Sequence, residues 1–447
     1  MYCLLTLTTS IITVSANCPN YEQFARQQHE PLSEGRFAFP LQRPSKDCRT
    51  HSVPAVEELI YEEMNQATGD PDLYRLFLNT WPNTVDTTVK WRGVSADNAD
   101  EEVQHATKFI QYLLTYDLAG IYYHRKISPS EENDIASLFR GAINLQARYL
   151  TNSPFCNAFH PPHEAKLRRT KRSLQPRDTV TPKYDPDFVY ECKYELDSLA
   201  AFLQLSWDYY EETEDSEFSG KFGWVEAVKK ILKVAEHMQE GTYDEQGRIQ
   251  KPAYTWLRDS DSASETVSNH GHGAPVKGHI GLVRSFFRPS DDSCIYQYFI
   301  PANMMFSRYL TACAKIMRPL DEKLAKEMEA LAFGIEVGIN KHAIIQHPVF
   351  GEMFAYEIDG FGGYNIMDDA NLPSLLSIPH VGFKPASQHI YGNTRAFVLS
   401  SYSPYYAQGP VLNATGGPHL GPGMAWPMGL IVRLMTSDDN EEIVDGI

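Results

Sequence analysis

Apolar residues along this chain recur at the spacing of a helix far more often than at the alternation of a strand. Ile135, Leu138, Phe139, Ala142 and Ile143 fall at i, i+3, i+4, i+7 and i+8, which places them on one helical face. Trp224, Val228, Ile231, Ala235 and Met238 repeat the pattern, as do Leu196, Leu199, Leu203 and Trp207. Val103, Ala106, Phe109, Ile110, Leu113 and Leu114 form a further amphipathic stretch. The segment 320–337 is rich in the strong helix formers Ala, Leu, Glu and Lys. Long alternating runs are scarce, so the pattern predicts an all-α domain. Its connections, such as Phe350-Gly351-Glu352 and Asp359-Gly360-Phe361-Gly362-Gly363-Tyr364, are dense in Gly, Asp and aromatics. Loops of that kind usually carry function, and here they are expected to build a pocket at one end of the helices. A chain of 447 residues, 43% of them apolar, can bury roughly three quarters of its unfolded surface. No Pro/Gly/Ser-rich linker divides it, which favours one domain.

The net charge of -17 argues against nucleic acid or an anionic membrane as partner, because both need a basic face. An uncharged substrate fits better. The basic cluster Lys166-Leu167-Arg168-Arg169-Thr170-Lys171-Arg172 reads as a solvated loop, with a dibasic processing site as the alternative. Residues 3–14 form a short apolar run ending in Val14-Ser15-Ala16, the form of a cleavable secretory signal. The expected organisation is therefore a signal peptide over 1–16 and a single domain over 17–447, in the secretory pathway or outside the cell. The run has no positive charge before it, so retention as a membrane anchor is the competing reading. Cys18, Cys48, Cys156, Cys192, Cys294 and Cys313 permit disulfides in an oxidising compartment, with no pairing fixed by the sequence. Asn413-Ala414-Thr415 is a glycosylation sequon. His270-Gly271-His272-Gly273 puts two histidines two apart in a glycine loop, a poor closed metal site and better read as solvated. A Ser-centred nucleophile elbow and a phosphate-cradling glycine loop are both missing, which removes support for acyl and phosphoryl transfer.

Carboxylates in structured, aromatic-rich loops are what glycosidic cleavage needs: one acid protonates the leaving oxygen, and a second carboxylate activates water or attacks the sugar. Two strings supply them, Ser290-Asp291-Asp292-Ser293 and Met367-Asp368-Asp369-Ala370-Asn371. Beside Arg288 two adjacent acids can take different pKa values, one pairing with the guanidinium while burial raises the other. Against this stands the plain structural use of Asp-Asp pairs as helix caps or calcium ligands. In Asp368-Asp369-Ala370-Asn371-Leu372-Pro373 at least one acid is expected to be structural.

A longer series of strings narrows the class. Phe287-Arg288-Pro289-Ser290-Asp291-Asp292, with Tyr296 and Ile300-Pro301-Ala302-Asn303-Met304 after it, resembles glycoside hydrolase family 125. The resemblance extends through Asn83-Thr84-Val85-Asp86-Thr87-Thr88-Val89, Gly141-Ala142-Ile143-Asn144-Leu145-Gln146-Ala147-Arg148-Tyr149 and Lys193-Tyr194-Glu195-Leu196-Asp197-Ser198-Leu199. It continues in Ala355-Tyr356-Glu357-Ile358-Asp359-Gly360-Phe361-Gly362, Met367-Asp368-Asp369-Ala370-Asn371-Leu372-Pro373, Asn393-Thr394-Arg395 and Gly417-Pro418-His419. It implies an (α/α)6 barrel and a metal-independent, inverting exo-α-1,6-mannosidase that needs no cofactor and acts on a mannose-containing glycan or glycoprotein. It gives Asp291 the role of general acid. Asp292 would orient that acid or contact sugar, and Arg288, Asp369, Asn371 and His419 would meet mannose hydroxyls. For those four, capping or loop stabilisation is the equal alternative. A calcium-dependent mannosidase of similar helical architecture is a further option, which chelation would reveal.

Two departures from the family pattern stand out. The family's general base is a glutamate in a Met-His-Glu string, which occurs nowhere in residues 1–447. Glu441 and Glu442 read as the first turn of a helix. After Thr88-Val89-Lys90-Trp91 the family carries a sugar-binding Trp-Leu-Arg-Asp-Ser segment, which 101–130 does not resemble. Trp256-Leu257-Arg258-Asp259-Ser260 repeats those letters in another setting, a coincidence on this reading. The expected barrel is thus incomplete, and the alternative to an enzyme is a catalytically dead or truncated mannoside-binding homologue.

Overall fold

The computed structural model describes residues 134–160, 178–409, 413–439 and 442–443. The signal segment 1–16, Cys18, Cys48, the 83–89 string, the helix read at 103–114, the basic cluster 166–172 and Glu441 lie outside the described residues, as do the side chains of Ile135 and Leu138.

Helices dominate what is described, and they bury the faces that periodicity marks out. Helix α1 (Asp134–Asn152) buries Phe139, Ala142 and Ile143. Helix α2 (Leu196–Thr213) buries Leu196, Leu199, Leu203 and Trp207. A short helix α3 (Ser216–Lys221) begins at Asp215, whose carboxylate accepts from Phe218 N. In α4 (Trp224–Met238), Trp224, Val228, Ile231, Ala235 and Met238 are all buried. Helix α5 (Ile300–Met317) starts with Pro301 in its first turn, where a missing N–H costs nothing. It is buried along nearly its whole length. The segment expected at 320–337 is helix α6 (Glu322–His342), capped by Asp321 and running past the periodic stretch. Two further helices, α7 (Gln388–Val398) and α8 (Pro427–Met435), follow the long loops.

Helix α5 packs against both α2 and α6, and α1 against both α2 and α4, so these helices share one apolar core. That core is contiguous from Phe139 to Val432.

The difference from an all-α expectation is a set of strands two to four residues long. They form antiparallel pairs: β1 (Ala158–Phe159) with β3 (Val189–Glu191), and β2 (Asp178–Thr181) with β4 (Thr255–Arg258). Strand β5 (Tyr298–Phe299) pairs with β8 (Glu357–Ile358), which pairs with β9 (Tyr364–Asn365). Strands β6 (Ile344–His347) and β7 (Gly351–Phe354) make a hairpin, and β10 (Tyr406–Gln408) joins β11 (Asn413–Thr415). Too short to show an alternation in sequence, they clip together the loops that connect the helices. Asn413 of the sequon is exposed at the start of β11.

A disulfide joins Cys156, just beyond α1, to Cys192, just before α2, while Cys294 and Cys313 are buried and unpaired. Residues 192–196 are further held by Tyr254, whose hydroxyl donates to Cys192 O and accepts from Tyr194 N. Tyr194 O in turn accepts from Phe286 N and Phe287 N. The segment entering α2 therefore lies directly beneath the 287–293 loop.

Candidate active site

That loop is a tight hairpin. Phe287 and Ser293 face each other as an antiparallel bridge, Arg288 N donates to Asp292 O at 2.8 Å, and Asp291 N donates to Arg288 O at 2.9 Å. A three-residue tip of this kind ends in a left-handed residue, and Asp291 takes that place with φ of 70°. For a non-glycine residue the conformation costs roughly 1–2 kcal/mol, so the surrounding bonds must hold it.

The left-handed turn separates two acids that the sequence presents as a pair. The Asp291 side chain is 57% exposed, and its Oδ1 lies 3.2 Å from Lys193 Nζ, which also donates to Asp291 O. Lys193 is itself buried, with Phe287 and Trp256 rings 5.2 and 6.0 Å from its ammonium and Glu191 at 3.7 Å. On the same side lie Glu195 and Asp197, both buried. Burial drives the Glu195 carboxyl well above its usual pKa, helped by Asp197 and Asp291, and burial pushes Asp197 up to about 7. Asp292 turns inward. Its Oδ2 accepts from Ser290 Oγ at 3.1 Å, and Oδ1 is 3.6 Å from Nδ1 of His419, a half-exposed side chain.

Arg288 is fully buried, and its Nε donates to Glu357 Oε1 at 2.6 Å. Burial alone would lower the guanidinium pKa, but the Glu357 carboxylate more than offsets this and holds it above its ordinary value. Glu357 Oε2 also accepts from Ile295 N, Tyr296 N and Asn365 Nδ2, so one carboxylate ties the hairpin to β8 and β9. The Tyr356 ring lies 5.5 Å from the guanidinium.

The second acidic string divides as its structural reading foresees. Asp368 is a brace: Oδ1 and Oδ2 accept from Leu375 N and Leu376 N, and burial brings its carboxyl to about 7. Asp369 faces Gly417, where any Cβ would sit 2.8 Å from its carboxylate. Asn371 spends its amide on Asp369 Oδ1, at 2.9 Å, and so fixes Asp369 from within the loop. Among the described residues, Asp369 Oδ2, Arg288 Nη2 and Tyr356 Oη are three of the buried side-chain atoms that have no hydrogen-bond partner. Arg288 and Asp292 both act electrostatically on Asp369. Buried donors and acceptors are normally satisfied, so a mixed set of orphans beside an exposed acid marks a place for a hydroxyl-rich ligand.

Glu442 is no free carboxylate. It binds Arg395 and Arg433 at 2.6 Å each and also accepts from Ser437. Slight burial raises its pKa, but these bonds outweigh that and bring it to about 2. Arg258 of the Trp256-Leu257-Arg258-Asp259-Ser260 string is held by Asp178 at 2.8 Å and Glu191 at 2.6 Å, and Glu191 is the neighbour of Lys193. Among the described residues, no group of three or more His, Cys, Asp or Glu is placed to hold a metal ion. No described helix is long and apolar enough to cross a membrane.

The sequence reading missed Lys193 and Glu357 as partners of the hairpin. Both stand inside strings quoted for the family, so a charged residue within a matched string was the available signal.

With this geometry in place, a family described as Metal-independent alpha-mannosidase (GH125) matches residues 70–447. The chain belongs to this family. A relative from Schizosaccharomyces pombe, the Meiotically up-regulated gene 157 protein, is 42% identical over 431 residues, covering 96% of this chain and 83% of the relative. A solved Streptococcus pneumoniae structure from the metal-independent alpha mannosidases, a non-productive substrate complex with alpha-1,6-mannobiose, is similar in fold. Its TM-score is 0.69 at 25% identity, with 89% of each chain covered. Membership in the family agrees with the strings read from the sequence, and the helical architecture matches that of the solved relative.

The buried acids give the protein a definite pH dependence. Burial raises Asp197, Asp208 and Asp368 from 3.8 to about 7. Between those values the folded chain holds protons that the unfolded chain has released, so stability falls as pH rises through that window. Urea midpoints are expected to be higher at pH 5 than at pH 8. A midpoint that rises across the same interval would show that these acids are ionised in the fold.

Proposed function

We propose that the protein is an inverting exo-α-1,6-mannosidase acting on mannose-containing glycans, with Asp291 as the general acid. The observation that carries this is the contrast within one hairpin between a solvent-reaching Asp291 and the buried, partly unpartnered group of Arg288, Asp369 and Tyr356. On this reading Asp291 meets the glycosidic oxygen from the open side, which its 57% exposed side chain supports. The orphan donor and acceptors suit ring hydroxyls, with Asp292 and His419 closing the same wall and Asn371 acting through Asp369. Inversion needs a second carboxylate to activate water, about 6.5–9.5 Å from the acid. The family resemblance gives that role to the Met-His-Glu glutamate, which residues 1–447 do not contain. The fold is a single (α/α)6 barrel domain, a reading supported by the packing of helices around one shared core and by the solved relative. The Cys156–Cys192 disulfide supports folding in the secretory pathway.

A second reading is a mannoside-binding protein without turnover, in which the unpartnered polar atoms of Arg288, Asp369 and Tyr356 hold the sugar. Incubation with α-1,6-mannobiose, followed by proton NMR of the anomeric signals, separates the two. Release of mannose first seen as the β-anomer supports the enzyme. Saturable binding by calorimetry without release supports the binding protein, and neither binding nor release rejects both.

A further inference from the structure

A cavity of about 500 Å³ opens where the chain leaves α4, and none of Arg288, Asp291, Asp292, Asp369, Asn371 or His419 lines it. Its lining carries two cations, Arg284 and Lys251, against the single carboxylate of Glu240, with the imidazoles of His237, His270 and His272 beside them. That balance runs against a chain whose net charge is -17. Glu240 lies 3.5 Å from His279 and also acts electrostatically on Arg284 without bonding to it.

Arg284 is the informative residue. It is 4% exposed, and its Nε has no hydrogen-bond partner. Its guanidinium lies 5.8 Å from the Phe286 ring. Arg258, Arg288, Arg395 and Arg433 each meet a carboxylate at 2.6–2.8 Å, while among the described residues Arg284 forms no ion pair. A buried guanidinium with an unmade bond carries a desolvation cost that an anionic ligand would relieve. The planar fork matches tetrahedral oxyanions, and an arginine is favoured where such groups are bound. The rest of the lining includes Tyr243, Ile249, Pro252 and Pro275, an apolar wall suited to the face of a sugar ring. The volume is that of a small-molecule pocket and exceeds what a bare oxyanion fills.

We propose that this cavity is a binding site for a phosphate group, free or carried on a monosaccharide, with Arg284 as its anchoring cation. Lys251 adds a second cation, His270 offers a ring N–H, and the apolar wall receives the sugar. The site is separate from the hairpin, and its occupancy does not depend on the mannosidase reading.

Calorimetry of the full chain with inorganic phosphate, mannose 6-phosphate and mannose tests it. Saturable binding of mannose 6-phosphate, weaker binding of inorganic phosphate and none of mannose is the expected order. Equal affinity for the two phosphates assigns the site to the free ion and retains the anchor. Arg284→Gln should abolish binding. Because a buried substitution can impair folding, the exposed Lys251→Glu serves as the second variant, with an expected loss of about tenfold. No saturable binding of either phosphate, or affinity unchanged in Lys251→Glu and in a folded Arg284→Gln, overturns the proposal.

Discussion

Replacing Arg288 by Met is expected to lower the unfolding free energy by about 3–5 kcal/mol, read from urea denaturation at neutral pH. The reason is what the substitution leaves behind. Glu357 is completely buried, and its Oε1 meets Arg288 Nε at 2.6 Å. With the guanidinium gone, a carboxylate stays in the interior with no cation to balance it and only neutral donors around it, Ile295 N, Tyr296 N, Asn365 Nδ2 and the Cys294 thiol. Those amides also make Glu357→Leu costly, since they lose their acceptor. The double variant Arg288→Met with Glu357→Leu should therefore lose less than the two single losses added together, by about 0.5–3 kcal/mol, the coupling between residues in contact. Strict additivity, or a single loss under 1 kcal/mol, would mean that the pair is not the clamp its geometry describes.

That clamp explains what could and could not be read from the sequence. The helices were legible because their burial repeats every three or four residues: Trp224, Val228, Ile231, Ala235 and Met238 mark their face without any knowledge of what covers it. Helix α6 shows the limit, since the stretch read as 320–337 begins in the structure only after its cap Asp321 and ends beyond the periodic segment, at His342. The short strands were not legible, because two residues such as Tyr298 and Phe299 carry no period, and their pairing with Ile358 and Glu357 is fixed by tertiary placement. In the candidate site, the strings identified Arg288, Asp291 and Asp369 as positions of interest but said nothing about direction. The partners that give direction lie far away in sequence, Glu357 at 69 residues from Arg288 and Lys193 at 98 from Asp291. The separation of Asp291 from Asp292 depends on one left-handed φ, which the letters Asp-Asp leave open. The second acidic string was a partial exception: at least one structural acid was expected from its setting before a proline, without saying which, and Asp368 braces two amides.

Once mannose release is measured, Asp291→Asn should reduce kcat for α-1,6-mannobiose about 10²–10⁴-fold, the usual contribution of a positioned proton donor. A sugar alcohol is a poor leaving group without that proton. A dinitrophenyl α-mannoside departs as a stabilised phenolate and needs no donor, so the same variant should lose far less on it. This contrast in leaving-group dependence distinguishes proton donation from a role in folding or sugar binding, which would penalise both substrates alike. Lys193→Met extends the argument by one contact. Its ammonium donates to both the backbone O and Oδ1 of Asp291, so it holds the strained tip as well as the carboxyl. Losing it should lower kcat with little change in KM, because the contact lies behind the acid and away from the orphan polar atoms proposed to bind sugar. Equal losses on both mannosides for Asp291→Asn would instead assign the residue to the pocket wall, and the proton would have to come from the other face of the hairpin, where Asp292 meets His419.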